Sequence, residues 1–231
     1  IGNTPNRGKW SGFSSRGFLI ANHIAYQVAA DYPVQLVGPN VSDFEPLYNA
    51  SYLGLLRRLG ATPALHSDNL FVERVLEPEA YDHRVLGTLA REPLKLNLVK
   101  KARLLQRLGQ NVGANELLCT YTCWTIKRLQ RRSAWPEQKR VDYLVRYLAL
   151  AAASSALTRV YWGPLICSRD GLINDGTSDY PIVDQVSFYQ RVRGEVASFK
   201  PTPAFAALAH TVKRLAGARC INADHEIGRA H

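Results

Sequence analysis

Short, almost continuously apolar segments alternate along this chain with longer segments in which apolar residues recur at helical spacing. The apolar segments predict strands buried on both faces, because such strands read as unbroken hydrophobic runs. They are VQLVGP from Val34, PALHSDNLF from Pro63, ELLCTYTCW from Glu116 and RVYWGPLIC from Arg159. The segments SYLGLLRRLG, LKLNLVKKARLLQRLG, QKRVDYLVRYLALAAASSAL and TPAFAALAHTVKRLAG predict amphipathic helices. Glycine favours the position after a helix, so three of these helices are predicted to end at Gly60, Gly109 and Gly217.

Strands separated by helices of this length predict parallel βα units and therefore an α/β fold. A (β/α)8 barrel and a doubly wound sheet both fit this order. The glycine-rich GxGxxG turn of dinucleotide-binding sheets is absent from the sequence. Polar and aromatic residues instead crowd the carboxyl ends of the predicted strands, where a barrel builds its site. They are Asn3, Asp43, Asp68, Tyr121, Trp124 and Trp162.

Length, composition and net charge limit the kinds of protein that this chain can be. A chain of 231 residues that is 46% hydrophobic can bury the core of one domain, and its length also allows two. It has no run of 18 apolar residues, so no membrane-spanning helix is predicted. The net charge of +10 indicates anionic partners such as nucleic acid or an acidic glycan. The basic segments VKKARLLQRLG and IKRLQRR place Lys and Arg between apolar residues at helical spacing, so we interpret them as solvated helix faces.

The residues that most often bind metals show no metal-binding pattern here. The four cysteines form no CxxC pair and no zinc spacing, and they are predicted to be buried free thiols. Cys119 and Cys123 are predicted to share one face of a strand. The acidic segment SRDGLINDGTSDYP does not fit the twelve-residue calcium loop and is predicted to be a surface loop. His66, on an apolar strand, is interpreted as a core histidine with satisfied hydrogen bonds. No metal or cofactor is predicted.

Five segments, taken in chain order, resemble the strands of a known enzyme barrel. IGNTPNRGKW is similar to a fourth-strand motif, VQLVGPNVSDFEPLY to a fifth strand with its loop, and ALHSDNLFVERVLEPEAY to a sixth. LLCTYTCWTIKR is similar to a seventh-strand motif, and RVYWGPLICSRDGLIND to an eighth strand. Together they resemble the C-terminal part of a clan-A glycoside hydrolase (β/α)8 barrel, closest to the xylosidase and iduronidase-like branch and to bacterial exopolysaccharide hydrolases.

This resemblance implies a barrel portion in residues 1–217, followed by a strand or tail in residues 218–231. Residue 1 falls inside the fourth strand of the pattern, so the chain is expected to lack three preceding βα units. Five units leave two sheet edges with unpaired backbone groups. The missing part of the barrel, or another chain, is therefore expected to cover these edges.

The resemblance also implies that the catalytic positions are substituted. Retaining members of the clan use two Glu residues about 5–5.5 Å apart, one as acid/base and one as nucleophile. Thr4 and Tyr121 occupy these two positions here, while Asn69 and Phe71 occupy those of a sixth-strand His and Tyr. Threonine is not an acid near neutral pH, and an unactivated phenol is a poor nucleophile. Hydrolysis is therefore expected to be impaired.

A site without these carboxylates is expected to bind carbohydrate and leave it uncleaved. Tryptophan supplies a flat apolar face for a sugar ring, and asparagine or aspartate supplies directional hydrogen bonds. The expected partner is an oligosaccharide or anionic glycan, in bacterial polysaccharide or lipopolysaccharide metabolism, in the cytoplasm or the periplasm. The predicted substrate-binding residues are Asn3, Asn6, Trp10, Asp68, Asn69, Trp124 and Trp162.

Two alternative functions stay open. An active hydrolase would use Tyr121 as its nucleophile, with Glu116, Asp68 or Asp170 activating the hydroxyl. Glu116 is predicted at the far end of the strand and is the poorest of these partners. A nucleic-acid-binding module would instead gather Lys and Arg on one face with exposed stacking aromatics. No nucleic-acid motif accompanies the positive charge, so this function is disfavoured.

Overall fold

A computed structural model describes residues 14–41, 44–70, 76–85, 94–167, 170–176 and 195–221. Its helices are α1 (Ser15–Ala29), α2 (Pro46–Arg58), α3 (Leu98–Gln110), α4 (Ile126–Leu129), α5 (Pro136–Ser154) and α6 (Pro203–Leu215), with a short 3-10 turn at Val196–Ser198. Its strands are β1 (Val37–Val41), β2 (Leu65–Asp68), β3 (His83–Val85), β4 (Leu94–Leu96), β5 (Glu116–Thr122), β6 (Leu157–Trp162), β7 (Ile173–Asn174) and β8 (Lys200–Pro201).

Four of these strands form one parallel sheet in the order β1-β2-β5-β6. Val41 of β1 lies beside Asp68 of β2, and Asp68 lies beside Cys119 of β5. Thr122 at the end of β5 pairs with Trp162 at the end of β6. Helices separate these strands along the chain, so the predicted α/β class with parallel strands is confirmed. Two short antiparallel pairs, β3 with β4 and β7 with β8, lie outside this sheet.

The main core lies between the parallel sheet and helices α3 and α5. Helix α3 buries Leu98, Ala102 and Leu105 on one face, because residues three and four apart lie above one another on a helix. These side chains join one hydrophobic cluster with buried residues of β5 and α5. A second cluster joins Leu144 and Leu148 of α5 to Ala204 of α6. Helix α5 therefore connects the sheet to the C-terminal part of the described structure.

Helix α1 is not predicted by the patterns described above. The hydroxyl of Ser14 caps it by accepting a hydrogen bond from the amide of Gly17 at 3.1 Å. Phe18 is buried and meets the ring of Tyr52 of α2 edge-on, with 5.3 Å between the ring centroids. Other apolar side chains of α1, such as Ile24, are exposed. Apolar residues thus lie on more than one side of the helix, so periodicity does not identify it.

Two of the three predicted helix ends lie beside the expected glycines. Gly60 and Gly217 follow α2 and α6 with φ angles of 65° and 71°, in the left-handed region that glycine adopts easily. The predicted end at Gly109 is wrong, because α3 continues to Gln110. Glycine is needed at position 109 for another reason: a Cβ atom there would lie 2.4 Å from Nε2 of His66. The imidazole of β2 therefore packs directly against the backbone of α3.

Substitution of Gly109 by Ala is expected to lower the free energy of unfolding by about 1–3 kcal/mol, as overpacking a core does. The new Cβ would also lie 2.5 Å from the carbonyl oxygen of Ala114, which is backbone and moves only with its chain. The matched control is Gly54→Ala in α2, where nothing lies within 4 Å of the added Cβ. Helix propensity alone should then raise the free energy of unfolding by about 0.5–1 kcal/mol. Urea unfolding measures both changes, and stabilisation by Gly109→Ala would contradict the close contact with His66.

No helix in the described ranges combines the length and the apolar character that crossing a bilayer requires. This finding agrees with the expectation from the sequence that the chain has no membrane span.

Candidate functional site

The carboxyl ends of β2, β5 and β6 lie side by side at one edge of the parallel sheet. Asn69 follows β2, Tyr121 is near the end of β5, and Trp162 is the last residue of β6. Ligands of parallel α/β folds bind at this edge, because the loops that leave the strands meet there. The structure therefore places two predicted binding residues, Asn69 and Trp162, and the predicted occupant of the nucleophile position, Tyr121, at the same edge of the sheet.

A hydrogen bond joins the ends of β2 and β5. The hydroxyl of Thr120 donates to Oδ1 of Asn69 at 2.9 Å. Asn69 is 8% exposed, and Thr120 is half-buried. The amide nitrogen of Asn69 is a separate donor group, since an asparagine side chain carries both an acceptor oxygen and two N–H groups. Fixing its oxygen to Thr120 sets the direction in which those N–H groups point.

Asp68 faces the opposite side of the sheet from Asn69. It is aligned with Cys119, and successive residues of a strand alternate between the two faces. Its carboxylate accepts hydrogen bonds from Nδ2 of Asn49 in α2 at 3.0 Å and from the amide of Leu70 at 2.9 Å. The side chain is completely buried. These contacts give Asp68 the role of fastening the end of β2 to α2.

Tyr121 presents a partly exposed ring at this edge, with 37% of the residue accessible. Its ring packs against Gly163 just after β6, because a Cβ atom at Gly163 would lie 2.6 Å from Cε2 of Tyr121. The hydroxyl shares a hydrogen bond with Sγ of Cys123 at 3.2 Å. Burial raises the pKa of Cys123 above its ordinary value, so the thiol stays protonated at neutral pH. A neutral thiol is not a base that can activate the phenol as a nucleophile.

Glu116 and Asp170 were two of the carboxylates considered as activators of the Tyr121 hydroxyl, and the structure gives them other positions or partners. Glu116 begins β5, five residues before Tyr121, and so lies about 16 Å away along the strand. Asp170 is buried, and its Oδ1 accepts a hydrogen bond from the amide of Ile126 at 2.7 Å, at the start of α4. Asp175 is also buried, so the prediction of a surface loop is wrong for both acids of residues 170–176.

The two tryptophans lie in an aromatic cluster behind the edge. Trp124 is 3% exposed, and its indole nitrogen donates to the carbonyl oxygen of Leu76 at 3.1 Å. Its ring stacks on that of Trp162, with centroids 5.7 Å apart and planes at 24°. Tyr143 and Tyr147 of α5 meet Trp124 edge-on. The indole N–H of Trp162 is buried and has no acceptor within the described part of the chain.

The remaining predicted site residues fall in parts of the chain outside the described ranges. Asn3, Thr4, Asn6 and Trp10 lie in residues 1–13, and Phe71 lies in residues 71–75. The predicted pairing of Thr4 with Tyr121 across the site therefore stays a prediction.

The cysteines are free thiols, as predicted. Cys119 and Cys167 are buried, whereas Cys123 and Cys220 are partly buried. The prediction that Cys119 and Cys123 share a strand face is wrong, because β5 ends at Thr122. Within the described ranges, no group of three or more His, Cys, Asp or Glu side chains is arranged to hold a metal ion.

A buried ion pair behind the sheet was missed by the sequence reasoning. Nζ of Lys101 in α3 lies 2.9 Å from Oδ2 of Asp82, and both side chains are completely buried. The interpretation of every base in this helix as solvated is therefore wrong for Lys101. The signal was in the periodicity, because Lys101 is three residues after Leu98 and four before Leu105, both on the buried face.

Arg140 is a second buried base, in the helix that the segment QKRVDYLVRYLALAAASSAL predicted only as amphipathic. Its Nη2 lies 3.4 Å from the carbonyl oxygen of Gly171 and 3.3 Å from the hydroxyl of Thr202. The same nitrogen is 3.1 Å from Oε2 of Glu137, one turn earlier in α5. These contacts join the start of α5 to loop 170–176 and to the N-cap residue of α6, close to the carboxyl edge of the sheet.

Comparison of the chain with protein-family models, with curated proteins and with solved structures found no match.

Proposed function

We propose that this protein binds carbohydrate at the carboxyl edge of its parallel sheet and does not cleave it. The observation that carries the proposal is the placement of Asn69, Tyr121 and Trp162 at the carboxyl ends of three adjacent parallel strands. The half-exposed phenol of Tyr121 supplies a flat apolar face, and the amide of Asn69 supplies directional hydrogen bonding, which is the combination that sugar rings require. The half-buried indole of Trp162 stacks on Trp124 behind this edge. The resemblance of the same segments to a glycoside hydrolase barrel supports this ligand class.

We further propose that the four parallel strands belong to a (β/α)8 barrel. Support comes from the strand order, since β1, β2, β5 and β6 are neighbours in the order in which they follow one another along the chain. Barrels keep this sequential order, whereas doubly wound sheets reverse it at a switch point.

We propose the absence of cleavage because Thr4 and Tyr121 stand at the two positions where the barrels that this chain resembles carry catalytic Glu residues. A tyrosine nucleophile also needs a base, and the thiol of Cys123 that contacts the Tyr121 hydroxyl has a pKa raised by burial. A phenol in this position can instead donate one hydrogen bond and accept another, which suits recognition of a sugar hydroxyl.

The test measures oligosaccharide binding on a glycan array and by calorimetry, together with hydrolysis of nitrophenyl glycosides. Wild-type protein is expected to bind and to release no nitrophenol. Tyr121→Phe is expected to weaken binding about fivefold through loss of one hydrogen bond. Tyr26→Phe is the matched control, because Tyr26 is exposed on α1 and lies beside Leu36 and Ala64, which precede β1 and β2 at the opposite edge of the sheet. Nitrophenol release that disappears in Tyr121→Phe would instead establish an active hydrolase with a tyrosine nucleophile.

A further inference from the structure

A compact basic surface lies on the connection between β5 and α5. It consists of Lys127, Arg128, Arg131 and Arg132 together with Trp135, and is called the basic rim below. All four bases are exposed, and none forms an ion pair within the ranges that the structure describes. The sequence holds no Asp or Glu between Glu116 and Glu137. The positive charge of this surface is therefore not neutralised by neighbouring acids along the chain.

Buried residues of α4 anchor the basic rim to the core. Ile126 and Leu129 of α4 are buried, and the amide of Ile126 is held by the carboxylate of Asp170 at 2.7 Å. Since the apolar residues of this short segment point into the core, its charged residues are left on the outside. The basic rim is thus carried by an anchored turn.

The basic rim adjoins the candidate carbohydrate site. It begins three residues after Trp124 and follows directly from the carboxyl end of β5. The negative charge of Asp170 and the positive charges of Arg128 and Arg140 all act on the thiol of Cys123, and that thiol contacts the hydroxyl of Tyr121 at 3.2 Å. A ligand lying over Tyr121 is therefore within range of Arg128 at the start of the rim.

Trp135 gives the rim a flat apolar face. It is 78% exposed, in contrast to the 3% exposure of Trp124 in the core. Its backbone is constrained, because its amide bonds to the hydroxyl of Ser133 at 3.1 Å and Pro136 begins α5 immediately after it. An exposed indole beside several cations suits a ligand that has both apolar ring faces and negative charges.

We propose that the basic rim recognises the carboxylate, phosphate or sulfate groups of an acidic oligosaccharide whose sugar rings occupy the site beside Tyr121. This inference rests on the proposed carbohydrate-binding function and names its ligand class. An acidic glycan fits better than nucleic acid because the rim is confined to residues 127–135 and presents a single exposed tryptophan. Single-stranded nucleic acid is normally held by a longer basic groove with successive stacking aromatics.

The experiment compares variants of the whole chain on a glycan array that pairs acidic oligosaccharides with neutral ones of matched length, with a 12-nucleotide single-stranded DNA as a further probe. The test variants are Arg131→Ser/Arg132→Ser and Trp135→Ala, all at exposed positions. The control is Lys213→Ser/Arg214→Ser, which removes the same two charges from the last turn of α6. Calorimetry then gives affinities for the glycan that binds best.

Acidic oligosaccharides are expected to bind, with affinity about tenfold lower in Arg131→Ser/Arg132→Ser and nearly unchanged in the α6 control. Trp135→Ala is expected to lower the affinity for the same ligand severalfold. Preference for neutral glycans, or equal losses in test and control variants, would overturn this inference while leaving the proposed function intact. Failure to bind any glycan would remove both, and tighter binding of the DNA than of every glycan would favour a nucleic-acid-binding protein instead.

Discussion

Replacement of Lys101 by Met is expected to lower the free energy of unfolding by about 3–5 kcal/mol. The ammonium group of Lys101 lies 2.9 Å from the carboxylate of Asp82, and neither side chain reaches solvent. The same ammonium lies 5.6 Å from the ring centroid of Phe44, which adds a favourable cation–π contact. Methionine fills nearly the same volume but removes the cation that pairs with the buried carboxylate of Asp82. Loss of one partner of a buried ion pair is among the most destabilising changes a core can suffer.

The neighbouring residue supplies the control for this prediction. Lys100 is exposed on the same helix, and its Nζ lies 5.1 Å from the ring centroid of Tyr81. Lys100→Met removes an exposed cation–π contact and should cost no more than about 1 kcal/mol. Urea unfolding of both variants gives the comparison, and equal effects of the two substitutions would contradict a special role for the buried pair.

A double-mutant cycle separates the pair from its surroundings. Asp82→Asn alone removes the anionic partner of the buried ammonium of Lys101, so it too is expected to destabilise the fold. The variant that carries both Lys101→Met and Asp82→Asn buries no charge at either position. Its loss is expected to be smaller than the sum of the single losses by about 1–3 kcal/mol. Additive losses would mean that the two side chains are stabilised by other neighbours instead of by each other.

The strands of the parallel sheet were predicted well from the sequence because each lies in a short, mostly apolar run. The runs beginning at Val34, Pro63, Glu116 and Arg159 overlap β1, β2, β5 and β6. Parallel pairing followed from the helices between them. The burial of Lys101 was not predicted, because a sequence does not show whether the charge of a lysine faces water or a buried carboxylate. Its partner Asp82 is distant in the chain, and tertiary structure alone brings the two together.

For the candidate site, the sequence predicted the edge of the sheet but not the direction of each side chain. Asp68 and Asn69 are adjacent in the sequence, yet Asp68 fastens β2 to α2 whereas Asn69 reaches Thr120 on the other face. Successive side chains of a strand point to opposite faces of the sheet, so these two neighbours point in opposite directions. Neither composition nor motif order indicates which of the two residues contacts the ligand. Trp124 follows a strand end but turns into the aromatic cluster, since its indole N–H finds the carbonyl oxygen of Leu76. The direction of each side chain therefore depends on packing that the sequence pattern does not specify.

Because of His66, the free energy of unfolding of the wild-type protein is expected to be about 2–3 kcal/mol lower at pH 4.5 than at pH 7. The prediction of a buried core histidine is confirmed, since His66 is completely buried. The expectation that its hydrogen bonds are satisfied is wrong, because neither ring nitrogen has a partner in the described ranges. Burial without a partner disfavours the charged form and lowers the pKa of His66 from 6.5 to about 4.

The sign of this effect follows from proton binding in the two states. Below about pH 6.5 the unfolded chain takes up a proton on His66, whereas the folded protein does not until the pH approaches 4. The stability that depends on a neutral His66 is therefore complete above pH 6.5 and is lost between pH 6.5 and 4. Each pH unit within this window costs about 1.4 kcal/mol.

His66→Leu tests the assignment, because leucine has a similar size and does not titrate. Urea unfolding at pH 7 and at pH 4.5 is expected to show a pH-dependent loss about 2–3 kcal/mol smaller in His66→Leu than in the wild type. His210→Leu makes the same replacement at an exposed position of α6 and is the matched control, expected to keep the wild-type pH dependence. At pH 7, His66→Leu also removes two buried polar atoms that have no partner, which argues against a large loss of stability there. If His66→Leu were as sensitive to acid as the wild type, the acid lability would belong to other groups, and the tight packing of a neutral imidazole against Gly109 would not be its cause.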